Sequence, residues 1–238
     1  LFFATPARLK FLKSSQVEKS YCHQLILKMA LVNPVVGFSF KADGRELLNI
    51  KPENKPDGLY LNRIRNLMGT SFSNEAIKIE NSKQITDTKF AKIHGFIGLP
   101  TLNKSNYNQQ HLFINGRCIQ DRNLSGAIRS AYRDTLPKGR FPVFCLFIEV
   151  PTDFIDVNVH PGKTEVRFQD SALIRSLIVG SISRELNSSF FQTTSEISKE
   201  AIEKFNMDQN MNPSKVYGSN KNQNEKQSFF NNIEVKPL

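Results

Sequence analysis

The feature that most constrains the fold is the stretch of residues 141–150, which is the most apolar in the chain. A run of this length and composition is typical of a central strand that is buried in a sheet. Helical and strand-like patterns alternate on both sides of it along the sequence. The chain is therefore predicted to form an α/β (α+β) domain with a mixed sheet.

Three helices are predicted from capping signals and from apolar residues at helical spacing. One begins with capping-box spacing over residues 15–18, one covers about 123–136 and ends at Pro137, and the last is capped by Asp170 or Ser171. The first places Val17, Tyr21, Leu25 and Met29 on one face. The apolar stripe of the last consists of Leu173, Ile174, Leu177, Ile178, Ile182 and Leu186.

The other segments are predicted to be turns, strands and shorter helices. A hairpin has arms at 35–41 and 45–50 around Asp43-Gly44, and a helix over 59–68 stops at Gly69. A strand end is predicted at 1–3, a short helix after Thr5-Pro6, strands at 75–80, 90–99 and 110–119, a loop at 153–163 and a strand at 165–168.

The composition changes after about Ser188, where Asn, Lys, Gln and Ser dominate and apolar periodicity fades. Such a segment buries too little apolar surface to fold, so residues 189–238 are predicted to form a disordered linker, with at most a frayed helix over 197–205. The chain begins with an apolar Leu1-Phe2-Phe3 rather than with Met. We therefore expect it to be a fragment of a longer protein.

The charge balance favours an anionic partner. The chain carries 32 Lys and Arg against 22 Asp and Glu, a formal net charge of +10. An excess of this size suits nucleic acid, phosphate ligands or an anionic surface, although a basic surface without a partner is the alternative. The three cysteines lie far apart, which excludes a disulfide framework and fits a reducing cytosol. No stretch is long and apolar enough for a membrane span.

The strongest basic cluster lies in and around the predicted helix at 123–136. Residues 115–140 carry six basic and two acidic side chains. At 100° per residue, the arginines of the helix share one sector and can contact phosphates. The alternative is a solvated helix face on which Asp121 and Asp134 pair locally. No aromatic residue shares the helical sector of the arginines, so base stacking is not supported. The six predicted DNA-binding residues are Arg117, Arg122, Arg129, Arg133, Lys138 and Arg140.

A second candidate site is the loop that follows the apolar strand. Lys163 comes directly after Gly162, so a cation at the tip of a turn is available to a phosphate oxygen. The supporting loop residues are Asp156, Asn158, His160 and Pro161. The alternative is that these side chains only satisfy backbone groups in a tight turn.

Several catalytic signatures are absent from the sequence. It contains no phosphate-binding G-x-x-x-x-G-K-[ST] loop, no G-x-G-x-x-G, no G-x-S-x-G and no His pair at metal spacing. We therefore predict no catalytic residue and no metal site in this chain.

Three motifs in order resemble MutL-type DNA mismatch repair proteins. Residues 1–12 resemble L-F-x-N-T-P-A-R-x-K-F-L, with Ala4 where the family usually has Asn. Residues 113–117 resemble F-V-N-G-R, and residues 156–168 resemble D-V-N-V-H-P-x-K-x-E-V-R-F. The resemblance covers about residues 1–186.

The resemblance implies a fold and a division of the chain. Residues 1–33 would be the C-terminal remnant of a GHKL ATPase domain, 34–58 a hairpin and connecting loop, and 59–188 a βαβ-rich transducer domain of the ribosomal-protein domain-2-like type. The catalytic Glu, the magnesium-binding Asn and the glycine-rich motifs of the family are missing, so no ATPase activity is expected from this chain alone.

The resemblance also implies partners. Lys163 would contact the γ-phosphate of ATP, bound with Mg in a site that only the upstream domain completes. The basic residues, with Arg117 first among them, would bind double-stranded and single-stranded DNA. Further expectations are a mismatch-recognition protein of the MutS type, a homodimer in the full-length protein and a cytoplasmic location without a membrane. The alternatives are an RNA-binding module of the same fold and the transducer part of another GHKL ATPase, such as a type II topoisomerase subunit.

Overall fold

The structure, a computed structural model, describes residues 2–53, 59–159, 161–162 and 164–210, and for residues 59–60 and 191–210 it describes the backbone alone. The chain divides into two compact units, Leu1–Phe191 and Gln192–Leu238. The first unit contains the sheet and the packed helices. The helices are α1 (Pro6–Leu9), α2 (Ser15–Val32), α3 (Leu59–Met68), α4 (Thr70–Glu75), α5 (Arg122–Ala131) and α6 (Ser171–Asn210), and Thr152–Phe154 forms a 3-10 turn.

Five strands form the main sheet, in the order β3 (Ala76–Thr86), β4 (Lys89–Gly98), β9 (Phe144–Glu149), β6 (Gln110–Ile114) and β7 (Arg117–Ile119). The central strand, β9, is antiparallel to β4 and parallel to β6, so the sheet is mixed, as predicted. Three shorter two-stranded pairs accompany it. The strands are β1 (Phe38–Ala42), β2 (Arg45–Ile50), β3 (Ala76–Thr86), β4 (Lys89–Gly98), β5 (Asn103–Lys104), β6 (Gln110–Ile114), β7 (Arg117–Ile119), β8 (Phe141–Pro142), β9 (Phe144–Glu149), β10 (Ile155–Asp156) and β11 (Arg167–Phe168).

The central strand is buried on both faces, which explains its continuous apolar sequence. Phe144, Leu146 and Ile148 face one hydrophobic cluster, which α5 and α6 cover. Cys145 and Phe147 face a second cluster on the opposite side, where α2, α3 and α4 contribute apolar side chains. Successive side chains of a strand point to opposite faces, so a single strand supplies both halves of the core.

The final helix begins as predicted but is longer. The carboxylate of Asp170 accepts a hydrogen bond from the backbone N–H of Leu173 at 2.8 Å, which caps the first turn. The predicted stripe packs in the first cluster, with Leu173 partly buried and the other five residues buried. The helix continues past Ser188 to Asn210, where the sequence predicts a linker with a frayed helix. Residues 211–238 lie outside the described residues.

The first helices differ from their predictions in detail. Phe2 has a φ of 62° and Phe3 lies in a turn, so these residues do not form the strand end predicted for 1–3. The cap of α2 is Ser14 rather than Ser15, and its side chain makes no capping hydrogen bond. Glu18 instead accepts a hydrogen bond from the backbone N–H of Lys13 at 2.9 Å.

The apolar face predicted for α2 is exposed. Its four residues are 38–60% accessible to solvent. The buried residues of the helix are Leu27, Ala30 and Leu31, which lie on a different face. Leu27 and Leu31 belong to the same cluster as Phe113 and Phe147, although the sequence-based division separates residues 1–33 from the sheet.

A buried arginine of α3 donates hydrogen bonds to the segments on either side of the β1–β2 hairpin. Arg63 is fully buried, and its Nη2 donates hydrogen bonds to the carbonyls of Pro34, Val36 (2.9 Å) and Lys51 (3.2 Å). Its Nε lies 3.8 Å from Oε1 of Glu53. Burial lowers the pKa of Arg63 and raises the pKa of Glu53, while the charge of each partner opposes the shift of the other. Sequence patterns do not reveal this contact.

The strand predicted over 110–119 is two strands joined by a tight turn. Asn115 and Gly116 have φ values of 46° and 75°, as a two-residue hairpin requires. The amide of Asn115 donates to the carbonyl of Val150 and accepts from its N–H, both at 2.9 Å. The Asn-Gly pair of the F-I-N-G-R motif therefore closes the β6–β7 hairpin and extends the pairing with the region after β9.

No helix within the described residues is long and apolar enough to cross a membrane.

Candidate nucleic-acid interface

Four of the six predicted DNA-binding residues line one cavity beside the C-terminal end of α5. Its volume is about 400 Å³, and no Asp or Glu is among its lining residues. We call it the basic cleft. Its charged lining residues are Arg129, Arg133, Lys138 and Arg140.

The sequence of α5 determines which side chains face this cleft. Asp121 caps the helix, accepting hydrogen bonds from the backbone N–H groups of Asn123 (2.8 Å) and Leu124 (3.0 Å). The buried face of α5 consists of Leu124, Ala127 and Ile128. Since these residues pack on the sheet, Arg129 is left on the solvent side. The helix ends at Ala131 rather than near residue 136 as predicted, and Arg133 is exposed in the turn that follows.

Local turns and one tertiary contact build the other wall of the cleft. Gly139 has a φ of 77°, which lets the chain reverse between Lys138 and Arg140. The guanidinium of Arg140 donates from Nε to the side-chain oxygen of Asn103 and from Nη2 to its backbone carbonyl at 3.3 Å. Arg140 is therefore half-buried and held in place, in contrast to the exposed Lys138.

Aromatic side chains, which were not predicted from the sequence, adjoin the cleft. The guanidinium carbon of Arg129 lies 5.2 Å from the ring centroid of Phe141, within cation–π distance. The ring of Tyr107 meets Phe141 edge-on, with 6.3 Å between centroids and 75° between planes. β5 brings Tyr107 to this position, because Lys104 pairs with Phe141 across the β5–β8 ladder.

Arg117 and Arg122 do not line the cleft. Arg117 is exposed on β7, an edge strand of the main sheet, and Arg122 is exposed in the first turn of α5. The local pairing with Asp121 and Asp134 that the sequence left open is not formed. Among the described residues, none of the six basic side chains is within 4.0 Å of a carboxylate oxygen.

The second predicted site is described only in part. His160 and Lys163 lie outside the described residues. The carboxylate of Asp156 accepts a hydrogen bond from the backbone N–H of Asn158 at 2.8 Å, as in an Asx turn, and Pro161 is exposed in the next turn. The backbone N–H of Gln120 donates to the carbonyl of Thr164 at 2.8 Å, so the end of the loop pairs with the chain just before α5.

The described titratable groups do not assemble a catalytic centre. His111 is 2% exposed, and burial together with the charge of Lys28 lowers its pKa to about 4, so the imidazole is uncharged at neutral pH. Burial raises the pKa of both the Cys118 and Cys145 thiols, which disfavours the reactive thiolate. Within the described residues, no group of three or more His, Cys, Asp or Glu side chains is arranged to hold a metal ion.

The fold resembles that of a known repair protein. A solved structure described as the N-terminal domain of a DNA repair protein superimposes with a TM-score of 0.65 at 18% sequence identity, covering 79% of this chain and 60% of the other. This similarity concerns the fold alone.

Sequence comparisons identify the family. The family described as "DNA mismatch repair protein, C-terminal domain" matches residues 64–187. The DNA mismatch repair protein MutL of Caulobacter vibrioides is 39% identical over 213 residues, and that of Agrobacterium fabrum is 43% identical over 187 residues. The chain belongs to the MutL family of DNA mismatch repair proteins. The two matches include 90% and 78% of this chain. They span only 33% and 29% of the length of the two relatives.

Proposed function

We propose that this chain binds the phosphate backbone of DNA without sequence preference, as part of a MutL-type mismatch repair protein. The observation that carries the proposal is the basic cleft, where four cationic side chains converge and no carboxylate neutralises them. Each phosphate contact releases condensed counterions, so a cluster of this kind gains affinity from any DNA sequence. Arginine suits the task because its planar fork matches phosphate oxygens in pairs.

The proposal is tested by the salt dependence of binding. The 238-residue chain is titrated against labelled duplexes of two unrelated sequences, with fluorescence anisotropy as the signal. Four phosphate contacts predict a log–log slope of affinity against salt of about −3 to −4, equal for both sequences. Absence of binding at low salt, or a strong preference for one sequence, would contradict it. Tighter binding to an RNA duplex would favour the RNA-binding alternative.

We further propose that Lys163 contacts the γ-phosphate of ATP. The support is the match of residues 156–168 to the D-V-N-V-H-P-x-K-x-E-V-R-F motif. ATP would supply binding energy and a transferable phosphoryl group, and the ammonium group of Lys163 would place one positive charge beside the γ-phosphate oxygens. The sequence has no phosphate-binding G-x-x-x-x-G-K-[ST] loop, and within the described residues no group of three or more His, Cys, Asp or Glu side chains could hold Mg, so Lys163 would add a single contact to a site that other residues complete. The domain that completes the site would therefore be supplied by a longer protein.

This part of the proposal predicts an activity that depends on context. The purified chain should show no ATP turnover, and Lys163→Ala should reduce turnover only in a longer protein that includes a family ATPase domain. Phosphate release is the measurement, and Lys92→Ala, which removes an exposed lysine of β4 outside the basic cleft, is the matched control that should leave the basal rate unchanged. Turnover by this chain alone, abolished by Lys163→Ala, would overturn the expectation.

The remaining family roles are also proposals for this chain. In a full-length protein we expect a homodimer, cooperation with a mismatch-recognition protein of the MutS type and a cytoplasmic location. These follow from membership of the family rather than from any contact in the structure.

A further inference from the structure

The exposed ring of Tyr107 stands beside the basic cleft. This residue is 70% accessible to solvent, and among the exposed large apolar and aromatic residues that the structure describes only Phe3 and Phe11 are more accessible. Phosphate binding by the cleft gives its cationic residues a role, but it gives none to the large, solvent-exposed aromatic ring beside them. The position of this ring therefore has to be explained separately.

Three contacts position Tyr107 next to the cleft. Its backbone carbonyl accepts a hydrogen bond from the N–H of Gln110 at 3.1 Å, and the side chain of Gln110 donates to the carbonyl of Pro142 at 3.1 Å. The ring itself rests edge-on against Phe141, whose own ring is in contact with Arg129. The tyrosine ring is thus held against Phe141, while most of the residue stays accessible to solvent.

An open aromatic ring beside cations is the arrangement that binds single-stranded nucleic acid. Cations track the backbone, and the ring offers a surface on which an unpaired base can stack. A base within a duplex is already stacked between its neighbours and is not available to a side chain outside the helix. The ring therefore distinguishes between strands with paired and unpaired bases, which the cations alone do not do.

We propose that Tyr107 stacks on an unpaired base of single-stranded DNA whose phosphates occupy the basic cleft. The inference rests on the proposed function, because it requires that the cleft bind DNA. It assigns a base-contacting role to a residue that a reading of charge alone leaves out, and it makes single-stranded DNA the preferred form of the ligand.

The test compares three ligands of equal length: single-stranded DNA, the same strand with abasic sites, and a blunt duplex. Tyr107→Ala should weaken binding to the intact single strand by roughly 5- to 100-fold and leave the other two ligands within about twofold. Tyr107→Phe should retain wild-type affinity, because it keeps the ring. Tyr21→Ala, which removes another exposed tyrosine, is the matched control.

The salt slope separates stacking from charge. Because Tyr107 is uncharged, Tyr107→Ala should lower affinity for the single strand at every salt concentration without changing the slope. Two outcomes would overturn the stacking role and leave DNA binding by the cleft intact. Either Tyr107→Ala binds the intact single strand as tightly as wild type does, or it loses the same affinity on all three ligands. If Arg129→Glu/Arg133→Glu binds all three ligands with the affinity of wild type, the cleft does not bind DNA, and the inference fails with it.

Discussion

Replacing both Arg129 and Arg133 with glutamate is expected to weaken DNA binding by at least about 30-fold at about 0.15 M salt. The loss of two phosphate contacts reduces the steepness of the log–log plot of affinity against salt by about 1.8. If the variant and the wild type bind equally at about 1 M salt, this change in slope gives about a 30-fold difference in affinity at about 0.15 M salt. Repulsion between the new carboxylates and the phosphates adds to the loss. The loss should be the same for unrelated sequences, because backbone contacts carry no sequence information. Anisotropy titrations at several salt concentrations measure both quantities.

A control with the same change of net charge separates the cleft from the overall charge. Arg8→Glu/Arg45→Glu removes two exposed arginines from α1 and β2, outside the cleft lining. We expect a small effect from this pair, since neither arginine lines the cleft and salt screens exposed charges that make no phosphate contact. If the two double variants bind equally weakly, the cleft has no special role and net charge accounts for binding.

Replacing Arg63 with methionine is expected to destabilise the first unit by about 3–5 kcal/mol. The substitution keeps a long side chain but removes the donors to three backbone carbonyls and leaves the carboxylate of Glu53 without its positive neighbour. Since the chain contains no tryptophan, urea denaturation followed by circular dichroism is the measurement. A shift of the midpoint at constant m-value would report a change in stability.

Arg65 provides a matched control two residues along α3. It is exposed, and its Nε donates to the hydroxyl of Ser73 at 3.1 Å, so Arg65→Met should change the free energy of unfolding by at most about 0.5 kcal/mol. Adding Glu53→Gln to Arg63→Met should recover part of the lost stability, because it removes the orphaned charge. Equal stabilities of the Arg63 and Arg65 variants would show that the buried guanidinium is not needed.

The elements that were predicted correctly have local determinants. α3 ends at Met68 because Gly69 adopts a φ of 92°, and the β1–β2 hairpin turns at Asp43-Gly44, where both φ values are positive. The central strand was predicted from its apolar run alone. In each case a few neighbouring residues contain the whole signal.

The wrong predictions concern segments whose outcome depends on distant partners. Helical periodicity shows that α2 has apolar residues on more than one face, but only the packing against the sheet selects Leu27 and Leu31. The single strand predicted over residues 110–119 is an exception, because the Asn115–Gly116 pair is itself a local signal for a two-residue hairpin turn. Arg63 belongs to a helix by its sequence, and its carbonyl partners lie 12 to 29 residues away.

The candidate site divides in the same way. Arg129, Arg133, Lys138 and Arg140 come from one helix and the turn that follows it, so their proximity was predictable. Tyr107 reaches them only through the pairing of β5 with β8, which no local pattern in the sequence indicates. For that reason the cations of the site were predictable from the sequence, and its aromatic side chain was not.

The position of β9 has a consequence for biosynthesis. The hairpins β3–β4 and β6–β7 both precede β9 in the chain, yet β9 lies between them in the sheet. During translation both hairpins leave the ribosome before the strand that joins them, and each exposes an unpaired edge in the meantime. A nascent chain stopped before Phe144 therefore holds two separate sheet fragments, and completion of the main sheet awaits the arrival of a single strand.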